Sequence, residues 1–409
     1  IFSVISLLGG LSIFLYGMDI MGDGLKSSSS KALKSMLEKV THSAVLGMLT
    51  GTLVTSVIQS STATIVLTVG LLSAGILNLR QSISIVMGAN IGTTVTAQII
   101  RLMDINSSGA AFLEIFKPST LAPLAVLCGI IFLKFVKSQK TKGIGMMLMG
   151  FGILFTGLMG MTEAVSPLSE SQAFTDVLQK FSDVPILGIL TGLITTFIVQ
   201  SSSAVIGMVQ ALSSTGAFTF QTVYPLIIGI NLGTCITTAI VCSIGTDKDA
   251  KRTGIAHILF NCIGTVLFMA AIPLLHHAGA LNFIWGKPMN SVGIANFTTI
   301  FNLVTAVALL PFTNQLVKLT TLIVKDSPDD TEDFYPEMRT LDEKLFISPA
   351  LALHQVNIAE ASMGRLARKN FNRSIDQLVS YDPERSAKIS SAEDRLDGFT
   401  DAAENYLIK

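Results

Sequence analysis

Residues 45–99 align without a gap to residues 186–240, at an offset of 141, and 20 of the 55 pairs are identical. Segments this apolar match by chance at roughly a tenth of positions. The identities fall on polar and small residues. Leu49-Thr50-Gly51 matches Leu190-Thr191-Gly192, and Gln59-Ser60-Ser61 matches Gln200-Ser201-Ser202. Gly88, Asn90, Gly92, Thr93 and Thr96 match Gly229, Asn231, Gly233, Thr234 and Thr237. A chain with such a repeat folds as two copies of one unit. The apolar helices expected at 1–22 and 143–161 precede the two copies and belong to them.

Composition says where those copies reside. Half of the 409 residues (50%) are hydrophobic and 14% are charged, against about 25% charged in a soluble protein. An ordinary soluble enzyme is therefore excluded, and a net charge of zero gives no global pull towards nucleic acid, which is not an expected partner. Runs long enough to cross a bilayer lie at 1–22, 80–103, 118–136, 143–161, 220–244, 255–275 and 293–324, the last with an expected break at Pro311. Two more apolar stretches, 43–77 and 185–218, are split by Gln59-Ser60-Ser61-Thr62 and Gln200-Ser201-Ser202-Ser203. The pieces of about 14 residues reach about 20 Å at 1.5 Å per residue, short of the roughly 30 Å core, so each stretch fits a re-entrant hairpin.

From the start of one unit to the start of the next the crossings number three, or five if a hairpin spans. Either count is odd, so the second unit is inverted. Charge agrees. Loop 23–44 carries Lys26, Lys31, Lys34 and Lys39; the join at 134–142 carries Lys134, Lys137, Lys140 and Lys142; loop 245–254 carries Lys248, Lys251 and Arg252. All three fall on one side, which the positive-inside rule makes cytoplasmic. The opposite side receives loop 162–185 with Glu163, Glu170, Asp176 and Asp183. The expected location is the inner (plasma) membrane, multi-pass, with the C-terminal tail in the cytoplasm.

The tail stands apart in charge. Residues 1–325 hold 18 Lys/Arg and 11 Asp/Glu, net +7, whereas residues 326–409 hold 10 and 17, net −7. After an acidic linker with Pro328 and Pro336, an amphipathic helix is expected from about Leu341 and a second from about Pro383 to Leu407. Two helices are few for an independent core, so the tail is expected to be truncated or to pack on a second copy as a homodimer. The chain begins at Ile1, which suggests a fragment or processed form, and no cleavable signal is recognised. Cys128, Cys235, Cys242 and Cys262 form no CxxC pair, so neither a disulfide framework nor a zinc site is expected.

The fold class that results is an all-α integral membrane protein. It has two inverted-topology repeats, each with a re-entrant helical hairpin and an unwound transmembrane helix, and a small cytoplasmic helical tail. The units are 1–117, the first repeat; 118–142, a linking helix and join; 143–254, the second repeat; 255–325, additional membrane helices; 326–340, the linker; and 341–409, the tail domain.

The chemistry resides in the polar breaks. A hairpin tip within a bilayer leaves backbone groups unpaired, which is tolerated only beside protein or a water-filled cavity. The helix leaving each tip aims its first N–H groups and its positive dipole end at that cavity. Ser60, Ser61, Thr62, Ser201, Ser202 and Ser203 add hydroxyls that donate to an anion, and whose oxygens can ligate a small hard cation such as Na⁺. In mid-span, the glycines around Asn in Gly88-Ala89-Asn90-Ile91-Gly92-Thr93-Thr94 and Gly229-Ile230-Asn231-Leu232-Gly233-Thr234-Cys235 mark an expected unwound helix. Such residues alone usually serve helix packing, but duplication at a fixed offset favours a site. No catalytic motif is found, and the serines have no paired base near the tips in sequence, so an enzyme is not expected. Asp19 is a candidate by its place in a span, while Arg80, Arg101 and Lys318 fit headgroup contacts. Glu393 and Asp397 lie one helical turn apart in the tail and are a candidate metal pair.

The motifs QSSTAT at 59–64, QSSSAV at 200–205, GANIGTT at 88–94 and GINLGTC at 229–235 resemble those of the type II sodium/phosphate cotransporter family over residues 1–325. The tail resembles part of the PhoU-like domain of bacterial members, and its EDRLD stretch is similar to that domain's acidic metal motif. The resemblance implies Na⁺-coupled transport of inorganic phosphate by alternating access, with Na⁺ as coupling ion and no organic cofactor. It implies phosphate ligands at Gln59, Ser60, Ser61, Thr62, Gln200, Ser201, Ser202 and Ser203. It implies Na⁺ ligands at Asn90, Thr93, Thr94, Asn231 and Thr234, with Ser61 and Ser202. Two departures bear on ion number: Thr62 faces Ser203 in the alignment, and Thr94 faces the soft thiol of Cys235. Transport of another small anion (sulfate or a dicarboxylate), a phosphate sensor and a passive anion channel remain open on the residues alone.

Overall fold

A computed structural model describes residues 2–38, 43–73, 76–104, 117–136, 138–167, 184–243, 248–325, 341, 346 and 349–408. Backbone groups in a bilayer must pair within the protein, and the chain meets that demand with helix. After α1 (Phe2–Glu38), the first aligned segment contains α2 (Ala44–Ile58), α3 (Ser61–Ser73) and α4 (Leu79–Ile100). After α5 (Pro118–Phe135) and α6 (Gln139–Val165), the second contains α7 (Pro185–Val199), α8 (Ser202–Ser213) and α9 (Phe220–Ser243). Then come α10 (Lys248–His277), α11 (Ser291–Leu309) and α12 (Thr313–Ile323), and in the tail α13 (Pro349–Val379) and α14 (Pro383–Ile408).

Among the described residues, six stretches are long and apolar enough to cross a membrane, and α5 is not among them. Its 18 residues extend about 27 Å at 1.5 Å per residue, close to the lower limit of about 17 residues for a span. The last run breaks where Pro311 was expected to break it: α11 ends at Leu309, a 3₁₀ turn covers Leu310–Phe312, and α12 follows. Proline lacks the N–H that would continue the ladder.

Two expectations about the basic segments need correction. The segment 23–44 is not a loop throughout, because α1 stays helical to Glu38. Serine and lysine there are polar but compatible with helix, so polarity did not end it. Likewise Lys248, Lys251 and Arg252 lie in the first turns of α10. Arg252 is buried. Its Nε and Nη2 donate to the Val324 carbonyl at 3.1 and 2.9 Å, and Nη1 donates to Asp249 Oδ1 at 2.7 Å. Val324 is the C-cap of α12, so this guanidinium supplies a partner that the helix end lacks. A charged hydrogen bond is worth about 1.5–3 kcal/mol, so Arg252→Ala is expected to lower the thermal midpoint of the detergent-solubilised protein.

The larger correction concerns the spans expected to unwind. Helices α4 and α9 run unbroken through Gly88–Thr94 and Gly229–Cys235. The glycines permit contact between backbones instead. A Cβ on Gly88 would lie 1.9 Å from the Met48 carbonyl oxygen of α2, and one on Gly229 would lie 2.0 Å from the Ile189 carbonyl oxygen of α7. So α2 lies directly on α4, and α7 lies on α9 in the same way. Asn90 and Asn231 also keep the helix intact, their Nδ2 donating back to Val86 and Ile227 carbonyls at 2.9 Å each. The helices α1 and α6, which precede the two aligned segments, also meet closely: a Cβ on Gly17 would come within 2.3 Å of Leu154 N.

In the tail, α13 and α14 fold back on each other; Leu366 and Phe399 are buried, and Val356 and Tyr406 are buried in a cluster that also holds Val54, Ile58, Leu67 and Leu71 of α2 and α3. Asn370 Nδ2 ties the pair by donating to the Ile389 carbonyl at 3.1 Å and to Glu393 Oε2 at 2.8 Å. The first tail helix begins at Pro349 rather than near Leu341, which is not helical. The linker 326–340 and most of the acidic loop 162–185 lie outside the described residues.

Candidate functional site

Each short helix pair turns on a glutamine. Gln59 ends α2 with φ 59° and Gln200 ends α7 with φ 59°, and these are the only non-glycine residues of positive φ among the described residues. Their backbone N–H groups still donate to Thr55 and Thr196 carbonyls, at 2.7 and 2.8 Å. The left-handed residue reverses the chain. The next helix starts at once, with a serine as its N-cap: Ser60 Oγ accepts from Ala63 N at 3.2 Å, and Ser201 Oγ accepts from Ala204 N at 3.3 Å. Serine is favoured there because its oxygen satisfies an otherwise unpaired N–H. Ser61, Thr62, Ser202 and Ser203 then occupy the first turns, where N–H groups have no partner within the helix.

The two tips face one cavity of about 50 Å³, where a single water needs about 10–15 Å³. Gln59, Ser60, Ser61, Thr62 and Thr93 line it from the first copy, and Gln200, Ser201, Ser202, Ser203 and Thr234 from the second. These are five pairs at the offset of 141, so the cavity is built twice from the same parts. Ser61, Ser202 and Ser203 are buried. No charged side chain is among the lining residues. Polarity there comes from hydroxyls, amides and the N-terminal ends of α3 and α8, which together suit a small anion. Asp19, Arg80 and Arg101 are exposed and do not line the cavity. Arg101 instead donates to Gln98 Oε1 at 2.8 Å.

The other residues read from the sequence lie outside the cavity lining. Asn90 Oδ1 is 3.1 Å from His257 Nε2 and 3.4 Å from Asn261 Nδ2, both on α10. Asn231 Oδ1 accepts from Asn302 Nδ2 of α11 at 3.3 Å. Thr94 Oγ1 donates to the Ile91 carbonyl at 2.7 Å, and Cys235 Sγ lies 3.7 Å from the Asn231 carbonyl. The Thr/Cys difference between the copies therefore sits beside the cavity and not in it, whereas Thr62 and Ser203 both line it. His257, Asn261 and Asn302 are fully or almost fully buried, and sequence reasoning missed them. The signal available was the pair Phe260-Asn261 and Phe301-Asn302, an amide within each apolar run, which demands a partner.

A further difference between the copies lies in the bonding of the tip legs. Thr55 Oγ1 donates to Thr64 Oγ1 at 2.9 Å and joins the legs of the first turn. In the second copy the counterpart of Thr64 is Val205, and the buried Thr196 Oγ1 has no partner. In the tail, Glu393 is engaged by Asn370, and no group of three or more potential metal ligands is found among the described residues.

The model of the Na⁺/Pi-cotransporter family matches twice in tandem, over residues 13–163 and 161–305. YqeW of Bacillus subtilis is 29% identical over 322 residues, 78% of this chain and 98% of its own length. YjbB of Escherichia coli, named for inorganic phosphate export, is 23% identical over 408 residues, all of this chain and 71% of its own. The human sodium-dependent phosphate transport protein 2B is 34% identical over 104 residues, 25% of this chain and 15% of its own. No solved structure matches the chain significantly.

Proposed function

Because this chain belongs to the Na⁺/Pi-cotransporter family, a family of multi-pass phosphate transporters, we propose that it moves inorganic phosphate by Na⁺-coupled alternating access. The substrate sits between the two serine-bearing tips near the membrane midplane. The observation that carries this reading is the cavity lined by five repeated pairs of hydroxyl and amide side chains. Ser61 and Ser202 donate to phosphate oxygens, together with the first N–H groups of α3 and α8. Thr93 and Thr234, on the spans behind the tips, supply Na⁺ ligands with the serine oxygens, and Asn90, Thr94 and Asn231 shape that layer from outside the cavity.

Charge gives the coupling its reason. Removing a phosphate dianion from water costs several kcal/mol for each uncompensated charge, and the cavity offers no cationic side chain. Bound Na⁺ provides the missing compensation, so phosphate affinity depends on Na⁺ occupancy. The two turns enter from opposite faces of the inner membrane, and the tail lies in the cytoplasm, where it pairs two copies. Its resemblance to a PhoU-like domain, with Glu393 and Asp397 as a metal pair, is part of the same reading.

Uptake of labelled phosphate into proteoliposomes tests this. An inward Na⁺ gradient should drive accumulation that an inward K⁺ gradient does not, and excess sulfate should not suppress it. Equal uptake under both gradients would remove the coupling, and suppression by sulfate would change the substrate.

A further inference from the structure

Glycine occupies a left-handed helix end at the least conformational cost. Both tips carry glutamine there instead, and both glutamines use the side chain in the same way. Gln59 Nε2 donates to the Ser56 carbonyl of its own last turn, and its Oε1 accepts from Thr96 Oγ1 of α4 at 2.7 Å. Gln200 Nε2 donates to the Phe197 carbonyl at 2.6 Å, and its Oε1 accepts from Thr237 Oγ1 of α9 at 3.1 Å. Each amide thus spans from a tip to a neighbouring helix while capping the helix it ends. Thr96 and Thr237 follow Thr93 and Thr234 by three residues, so on each span the clamping and the cavity-lining hydroxyls share one face.

We infer that Gln59–Thr96 and Gln200–Thr237 are tip clamps, positioning residues that fix each serine-bearing turn to the span completing its half of the cavity. Its functional consequence rests on the transport reading above. Each tip and its span form one rigid half-site, held at the tip by the clamp and along the leg by the backbone contacts at Gly88 and Gly229. A turn does not lift away from its own span to release substrate. The strained backbone and the Gln–Thr bond therefore serve geometry, and the Ser61 and Ser202 hydroxyls serve the anion.

The test uses the full chain in nanodiscs and proteoliposomes, with Thr96→Val, Thr237→Val and the rescuing variant Thr96→Ser. Thr96→Val should raise the phosphate KM about fivefold, the ratio that one buried hydrogen bond is worth. It should also speed amide hydrogen exchange across residues 60–64, with the Na⁺ dependence at saturating phosphate unchanged. Thr96→Ser should restore both readouts, and Thr237→Val should reproduce the pattern at residues 201–205. Wild-type KM and exchange in both valine variants would overturn the clamp. So would a shift in Na⁺ half-saturation alone with tip exchange unchanged, which would make the threonines ion ligands. If the unmodified chain moves no phosphate, the transport reading fails, while amide exchange still decides whether the clamps hold the tips.

Discussion

Ser61→Ala and Ser202→Ala should each reduce phosphate transport by about 10- to 100-fold, the cost of losing one hydrogen bond to a charged group. Folding and membrane insertion should stay intact. Both side chains are buried at the cavity, and neither hydroxyl is the helix cap. The preceding residues have that task, since Ser60 and Ser201 accept from Ala63 and Ala204. Substituting Ser60 should therefore depress stability by about 1 kcal/mol, a different signature from lost transport with normal stability. Initial rates across a phosphate series, beside thermal midpoints of the same preparations, separate the two. Wild-type transport in both alanine variants would make the tips packing elements and remove the proposed site.

The second large effect is structural. Gly88→Ala and Gly229→Ala should each prevent accumulation of folded protein, or lower its thermal midpoint far more than a surface change does. The added carbon would stand 1.9 or 2.0 Å from a backbone carbonyl oxygen of the neighbouring helix. No side-chain rotation relieves that contact, so the helices must separate. Overpacking of this kind costs about 1–3 kcal/mol or more. Gly160→Ala is the matched control, because the nearest atom to its added carbon is 3.9 Å away. Size-exclusion profiles of the three variants expressed in parallel give the comparison. A monodisperse, stable Gly88→Ala protein would mean that α2 and α4 can part without loss.

The residues that line the cavity were legible in the sequence because two local signals coincided. A polar cluster interrupts an apolar run, and the same cluster recurs at a fixed offset. The breaks at Gln59 and Gln200 follow from that, while the break at Pro311 follows from proline's missing N–H. The state of the glycine segments was not legible. Glycine both weakens a helix and admits close neighbours, and only the position of α2 and α7 decides between the two effects. The end of α1 was missed for a related reason, since a run of serine and lysine is polar without being a helix stop. Asn261 and Asn302 were missed because their partners are distant in the chain: Asn90 lies 171 residues from Asn261, and Asn231 lies 71 from Asn302. A motif scan sees neighbours in sequence, whereas a buried amide is explained by neighbours in space.

A cavity assembled from five duplicated pairs has a thermodynamic consequence. Under the proposed cycle, an ion meets hydroxyl and amide groups of the same kinds from each copy. As in any passive coupled carrier, the sign of net flux is set by the electrochemical potentials of Na⁺ and phosphate, and reversing those potentials reverses the flow; likeness of the two halves bears on the affinities at the two faces. The copies depart from each other at the tips in Thr62 against Ser203 and in the Thr55–Thr64 bond against Thr196 with Val205, and a difference in affinity between the two faces would begin there.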